Sequence, residues 1–506
     1  MLGYNTSISK ALTQSSLATH ILANLAGMSF LIYLFALVYP YNLFELSPYP
    51  RLAVYRFAES NPLVIIWLAL VFVVQGGLYW LGWQVAQQAG GRTAWLIVLG
   101  SALAFSVVLL FFYPLDAADI FDYIMYARIS GIYGGNPFRE VAQQFATDPF
   151  YPYAAWPGTP SDYGPIWEVL AGGIARLAGD NVIVTVIAFK LLCGLFLATG
   201  IGLVAVILRR AAPERALAGV TFLAWNPIIL YETMGNGHND IAMAIWLLAA
   251  VWAILSRRYT LAVLALLSGA LIKFIPLLLL PIAGIVALRN LPNLRTRLHF
   301  LAITTFTATA LIAIIYSRYW YGLESLGLGR RAQLFTASLP AMLQAWLQLN
   351  WELKDIDWPI NMITASLTLL FVGWQSWRTW REPSWLRFCQ ATLHILLFYL
   401  LVTCTWFQQW YLVWPLCVAA LLPPGPVVYL ALISGGYTLL SKHVIFGPLI
   451  FRLRPLPEAW REIVFAPVVL GLPWLYSIFL LKDHILRWFR GRIADTQGIK
   501  GENGTM

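Results

Sequence analysis

Charge is scarce in this chain. Asp, Glu, Lys and Arg supply 11% of its 506 residues, where a soluble domain carries about a quarter. So few charges cannot cover a chain this long with a water-facing surface. That excludes an ordinary soluble enzyme, a disordered protein and a nucleic-acid module. Cysteine is scarce too. Cys193, Cys389, Cys404 and Cys417 lie in apolar runs with no metal-ligand spacing. They read as small core hydrophobes, not as a disulfide framework or zinc site. No cleavable leader is expected: 1–19 is polar with one lysine, and no small-residue cleavage site follows the first apolar stretch. The chain shows no internal repeat and no low-complexity linker.

Apolar surface is what the chain has in quantity. Hydrophobic residues make up 60% and the mean hydropathy is +0.70, the signature of a polytopic membrane protein. Stretches that suit a bilayer crossing are 20–40, 62–85, 94–112, 181–208, 214–231, 240–256, 298–320, 358–378, 386–405, 408–422, 426–441 and 464–482. The run 259–288 is longer and holds Lys273 and Pro276 near its middle.

The net charge of +10 comes mostly from arginine, and arginine marks cytoplasmic loops. Arg209, Arg210, Arg215, Arg257, Arg258, Arg289, Arg295, Arg297, Arg378 and Arg381 all fit the inside, as do Lys482, Arg487, Arg490 and Arg492. The run 259–288 then starts and ends on the same side. It predicts a hairpin of two half-length helices broken at Lys273-Phe274-Ile275-Pro276, which is tolerated where it lines a cavity. The expected fold is all-α and polytopic, with about 12 to 14 transmembrane helices, broken or re-entrant segments on the outer side and both termini cytoplasmic. Arg452, Arg454 and Arg461 violate the charge rule, as on an interfacial helix. No soluble domain is expected. Residues 1–506 form one membrane domain, with one external segment at 113–178, including short helices, and a second at 321–357.

Polar residues concentrate at a few points. Asp116, Asp119 and Asp122 recur every third position at the mouth of a span. Clustered carboxylates raise one another's pKa, which suits a general base; the same spacing also suits helix N-caps. Tyr163-Gly164-Pro165 marks a turn into a short helix over 164–178. Asn226-Pro227, Glu232 and Gly237-His238-Asn239-Asp240 crowd a turn before a helix, whose N-terminus attracts anions. Lys273 is ionisable within an apolar run, a functional signal unless it snorkels to the interface. Lys190 lies mid-span with nothing around it to support a site. Residues 406–415 hold Gln408, Gln409, Trp410, Tyr411 and Trp414, more than an aromatic belt needs. Aromatics crowd the outer stretches 111–167 and 406–414. A plain belt would decorate both sides alike.

The residues Asp119-Ile-Phe-Asp122-Tyr123, Ala127-Arg128 and Gly135-Asn-Pro-Phe138 resemble the first external loop of polytopic GT-C glycosyltransferases. Tyr163-Gly-Pro-Ile, Asn226-Pro227, Gly237 to Asp240, Lys273 with Pro276, and Phe407 to Trp414 also fit that family. The resemblance runs from about 94 to 440 and is nearest to bacterial polyprenol-phosphate-mannose-dependent mannosyltransferases. It is more distant from the catalytic subunit of the eukaryotic glycosylphosphatidylinositol mannosyltransferase. Two extra spans precede the acidic loop, and their even number preserves the topology.

The resemblance implies an inverting transfer of a sugar, expected to be mannose, from a polyprenyl-phosphate donor to a lipid-linked or glycan acceptor. The reaction would run at the external face of a cell membrane, in glycolipid or cell-envelope assembly. Asp119 takes the catalytic role, with Asp116, Asp122 and Arg128 supporting the loop. His238, Asn239 and Lys273 are assigned to the donor phosphate. Tyr163, Asp240, Gln409, Trp410 and Tyr411 are assigned to sugar or lipid. No cofactor is expected, and a divalent metal is not favoured, because a monophosphate donor needs one less than a nucleoside diphosphate does. The rival readings are a transporter or lipid flippase with its polar site at the broken helix, and a non-catalytic scaffold.

Overall fold

The computed structural model describes residues 2–115, 118–446, 448–449 and 456–501. Asp116, Arg452 and Arg454 fall outside the described residues. Helices carry the fold, and among the described residues the extended pairing consists of two isolated bridges, Asn42 with Phe112 and Thr336 with Trp406. The helices that frame the site are α1 (Leu2–Ile32), α2 (Leu63–Ala86), α3 (Gly91–Leu110), α4 (Asp119–Gly131) and α5 (Pro165–Ala178). They continue as α6 (Val182–Ala211), α7 (Asp240–Leu255), α8 (Tyr259–Ala270), α9 (Leu280–Asn290) and α10 (Leu294–Tyr316). The last are α11 (Asp357–Arg381), α12 (Trp385–Phe398), α13 (Val413–Ala419), α14 (Pro426–Thr438) and α15 (Glu458–Gly501).

Seven helices among the described residues are long and apolar enough to cross a membrane: Ser15–Val38, Leu63–Ala86, Gly91–Leu110, Val182–Ala211, Leu294–Tyr316, Trp385–Thr403 and Trp460–Lys482. Each coincides with an expected span. Of the other expected crossings, 358–378 lies within the unbroken helix α11 and 240–256 forms the shorter helix α7, while others are cut into pieces. The segment 214–231 is interrupted at Asn226-Pro227, where the Asn226 side chain accepts from the amides of Ile228 and Ile229 and starts a new helix. The stretch 259–288 breaks as the sequence predicts. α8 stops at Ala270, and a short 3-10 turn, Ile275–Leu279, leads into α9.

The first acidic segment is not a solvent-washed loop. Every residue from Ile120 to Gly131 is buried, so α4 lies inside the protein body against α5. Gly131 and Gly172 make that approach close: a Cβ on Gly131 would meet the Gly172 carbonyl.

Lys190, on α6, also finds its place. Its ammonium donates to the carbonyls of Leu109, Leu110 and Phe112. Leu109 and Leu110 close α3 and Phe112 lies two residues beyond it, so the cation sits at the negative end of the helix dipole. Lys190 thus caps the end of α3.

Candidate active site

Asp119 opens α4 and Asp122 follows one turn later. The two carboxylates differ in surroundings. Asp119 is half-buried on a cavity wall, and the Tyr163 hydroxyl donates to its Oδ2 at 3.4 Å. Burial lifts its pKa above the ordinary value, with Asp240 adding to the effect and His238 and Lys273 opposing it. Asp122 is buried at 4% exposure. Its Oδ1 accepts from the Trp156 amide at 3.0 Å, while Oδ2 has no hydrogen-bond partner. Burial pushes its pKa up to about 8, with Asp119 adding to the rise and the Trp156 amide opposing it.

The turn between Tyr231 and Asp240 is organised by Glu232, which is fully buried. Its carboxylate accepts from His238 Nδ1 at 2.9 Å, Asn236 Nδ2 at 3.0 Å and Gln409 Nε2 at 3.0 Å. A carboxylate partner places the proton of His238 on Nδ1. Burial works against charge on His238, but Glu232 outweighs it and leaves the imidazole above its usual pKa. The ring stacks on Trp410 with centroids 4.1 Å apart. Gly237 lets the chain turn here, with φ of +75°. His238 Nε2, both side-chain polar atoms of Asn239, Asp240 Oδ2 and Gln409 Oε1 are buried without a hydrogen-bond partner.

The helix break supplies the third element. Its carbonyls do not go unpaired. Gly164 and Ile166 donate backbone N–H groups to Ile272 and Leu271 at 2.8 and 3.1 Å. The Tyr163-Gly164-Pro165 turn thus seals the gap, as buried peptide groups require. Lys273 Nζ pairs with Asp240 Oδ1 at 2.7 Å, and Trp414 Nε1 donates to the same oxygen at 2.6 Å. The ammonium also lies 5.6, 5.3 and 5.9 Å from the ring centres of Tyr163, Tyr411 and Trp414.

These elements enclose a cavity of about 870 Å³. Of the residues singled out in the sequence, Asp119, Asp122, Tyr163, Lys273, Gln408, Trp410, Tyr411 and Trp414 line it. His238, Asn239, Asp240 and Gln409 are buried and lie off its wall. Arg128 also lies off the wall. It bonds Asp148 at 2.6 Å and Asp180 at 2.7 Å, which ties α4 to the segments before and after α5. Among the described residues, no group of three or more His, Cys, Asp or Glu side chains is arranged to hold a metal ion.

The cavity adds Arg330 and Arg331, which the sequence placed only in the second external segment. Arg330 Nη2 and Arg331 Nε lie 3.0 and 3.7 Å from Asp162 Oδ1. Two guanidinium groups against one carboxylate leave a positive charge on this wall, whereas Lys273 is matched by Asp240. The Glu232 hub was likewise visible only as one polar residue in a crowded turn.

A helical membrane protein whose cavity combines a carboxylate, surplus cation and aromatic walls has the make-up of a group-transfer enzyme. The family described as alpha-(1->6)-mannopyranosyltransferase, N-terminal domain, matches residues 27–289, just over half of the chain, and the chain belongs to that family, whose members are named as glycosyltransferases. An alpha-(1->6)-mannopyranosyltransferase of Corynebacterium glutamicum is 27% identical over 192 residues, 37% of this chain and 38% of the relative. A relative named for the same activity in Mycolicibacterium smegmatis is 26% identical over 155 residues, 29% of this chain and 27% of its own. Another, from Mycobacterium tuberculosis, is 26% identical over 145 residues, 27% of this chain and 24% of its own. The matched stretches therefore span well under half of each relative.

Proposed function

We propose that this protein is an inverting mannosyltransferase that moves mannose from a polyprenyl-phosphate donor to a lipid-linked or glycan acceptor at the outer face of a membrane. The observation that carries the reading is the single cavity that sets Asp119 among Lys273, Arg330, Arg331 and aromatic walls. The acceptor hydroxyl gives its proton to the Asp119 carboxylate. Its oxygen then attacks the anomeric carbon from the face opposite the phosphate. The bond from that carbon to the phosphate oxygen breaks, and the polyprenyl phosphate leaves with the electron pair. One carboxylate suffices for this single displacement. A pKa above the ordinary carboxylate range makes Asp119 the stronger base.

The donor is a phosphodiester with one negative charge, and the leaving phosphate gains more. The surplus cation of the Arg330–Arg331 wall meets that charge, with Lys273 beside it. This match lets the reading dispense with a metal. Mycobacterial and corynebacterial relatives named for mannosyl transfer support the sugar. A transporter would need polar groups along a path through the bundle, whereas the cavity-lining residues named here share one cavity.

The test is reconstitution with polyprenyl-phosphate-mannose and candidate acceptor lipids. The parent should release polyprenyl phosphate and form a mannosylated product, and Asp119→Asn should not. A parent that transfers no sugar while moving solutes or lipids would establish the transport reading instead.

A further inference from the structure

Lys442 takes no part in the ion pairs described so far. It stands in the π turn Leu439–Phe446 that continues α14, and it is 6% exposed. Its ammonium donates to the Phe407 carbonyl and to Gln408 Oε1 at 2.5 Å. An ammonium has donors only, so the amide of Gln408 must turn its oxygen toward Lys442 and its NH2 group away. Gln408 lies on the cavity wall with Asp119, Trp406 and Trp410. Its Nε2 makes no hydrogen bond among the described residues. The neighbouring amide runs the opposite way, because Glu232 takes the NH2 group of Gln409. A buried lysine is costly, and a methionine would fill the same space, so the charge calls for a purpose.

We propose that Gln408 recognises the transferred sugar, donating from its NH2 group to a hydroxyl oxygen, and that Lys442 is the positioning residue that holds the amide in that direction. This rests on the glycosyl-transfer reading of the cavity. A sugar hydroxyl is favoured over the donor phosphate by the surroundings. Trp406 and Trp410 line the cavity beside Gln408, and aromatic side chains suit a sugar, whereas the surplus cation sits with Asp162.

The test uses the full chain with polyprenyl-phosphate-mannose in steady-state kinetics. Gln408→Glu keeps an oxygen for Lys442 and turns the contact into an ion pair, so the fold is retained. It removes the NH2 donor. The expected result is an unchanged or higher melting temperature and a donor KM raised by about tenfold, with a much smaller change in kcat. Inhibition by sugar-free polyprenyl phosphate should be unchanged. Lys442→Met should raise the donor KM in the parent but add nothing in a Gln408→Leu background. Lys442→Arg should restore most of the loss. A Gln408→Glu variant at parental KM would overturn the proposal. So would effects of Lys442→Met and Gln408→Leu that multiply, or weaker inhibition by polyprenyl phosphate in Gln408→Glu. A parent inactive with every polyprenyl-linked sugar would instead defeat the glycosyl-transfer reading itself.

Discussion

Gly164 donates its backbone N–H to the carbonyl of Ile272 at 2.8 Å. The contact joins the end of the acidic segment to the gap between α8 and the 3-10 turn, one residue before Lys273. Approach this close leaves no room for a side chain, since a Cβ on Gly164 would run into the Leu271 carbonyl. Gly164→Ala should therefore destabilise the protein by about 1–3 kcal/mol, the usual cost of overpacking. It should also displace Lys273 and Tyr163 and raise the donor KM. Thermal melting and donor kinetics on the same preparation check both effects.

The two carboxylates of α4 should behave differently. As the proposed general base, Asp119 should lose about 10²–10⁴-fold in turnover on conversion to Asn. The acid limb of the parental pH profile should sit above the ordinary carboxylate range of about 3.9, because the base fails as pH falls through a raised pKa. A limb at or below that range would exclude Asp119 as the group observed.

Asp122 should be neutral near pH 7, since burial lifts its pKa to about 8. Its folded pKa lies above the unfolded value of about 3.9. Its contribution to stability is therefore full below about pH 4 and is lost as pH rises toward about 8. Asp122→Asn imitates the neutral form and keeps an oxygen for the Trp156 amide. It should retain activity within a few-fold and remove that part of the decline. Melting temperatures across this pH window measure the difference.

The Arg330 and Arg331 pair supplies the surplus charge in the cavity. Arg331→Ala should weaken donor binding at least about tenfold, or about 1.4 kcal/mol. The effect should shrink when polyprenyl phosphate is replaced by an uncharged prenyl analogue. Equal losses for both ligands would mean that the arginine only packs.

Glu232 serves three donors from a fully buried position. Glu232→Ala would leave His238, Asn236 and Gln409 unpaired, and should cost about 3–5 kcal/mol. Glu232→Gln retains an acceptor oxygen but loses the charge, so it should cost less and lower the His238 pKa. Denaturation and histidine titration separate the two effects.

Much of this was legible in the sequence. Pro276 and the arginines on either side of 259–288 located the helix break, because backbone disruption and charge sidedness are local signals. The seven longest apolar helices were equally plain. The segment 214–231 looks like a single span because hydropathy averages over the interruption at Asn226-Pro227. Contacts between distant segments were hidden. Gln409 meets Glu232 across 177 positions, and no spacing rule joins them. Arg330 and Arg331 looked like loop charges because sequence does not say where a loop folds back. Lys442 sits at the end of an apolar run, where snorkelling would have been enough to account for it.

Lys190 ends on a wider consequence. One turn further along the same face of α6, Cys193 Sγ contacts the carbonyl of Gly237 at 3.6 Å, since positions three apart are neighbours on a helix. A single turn of α6 therefore grips both the strand of chain leading to Asp119 and the turn that carries His238. The chain that enters the acidic segment and the turn that carries His238 are both anchored to α6. Lys273, paired with Asp240 beside that same turn, is tied to the same helix.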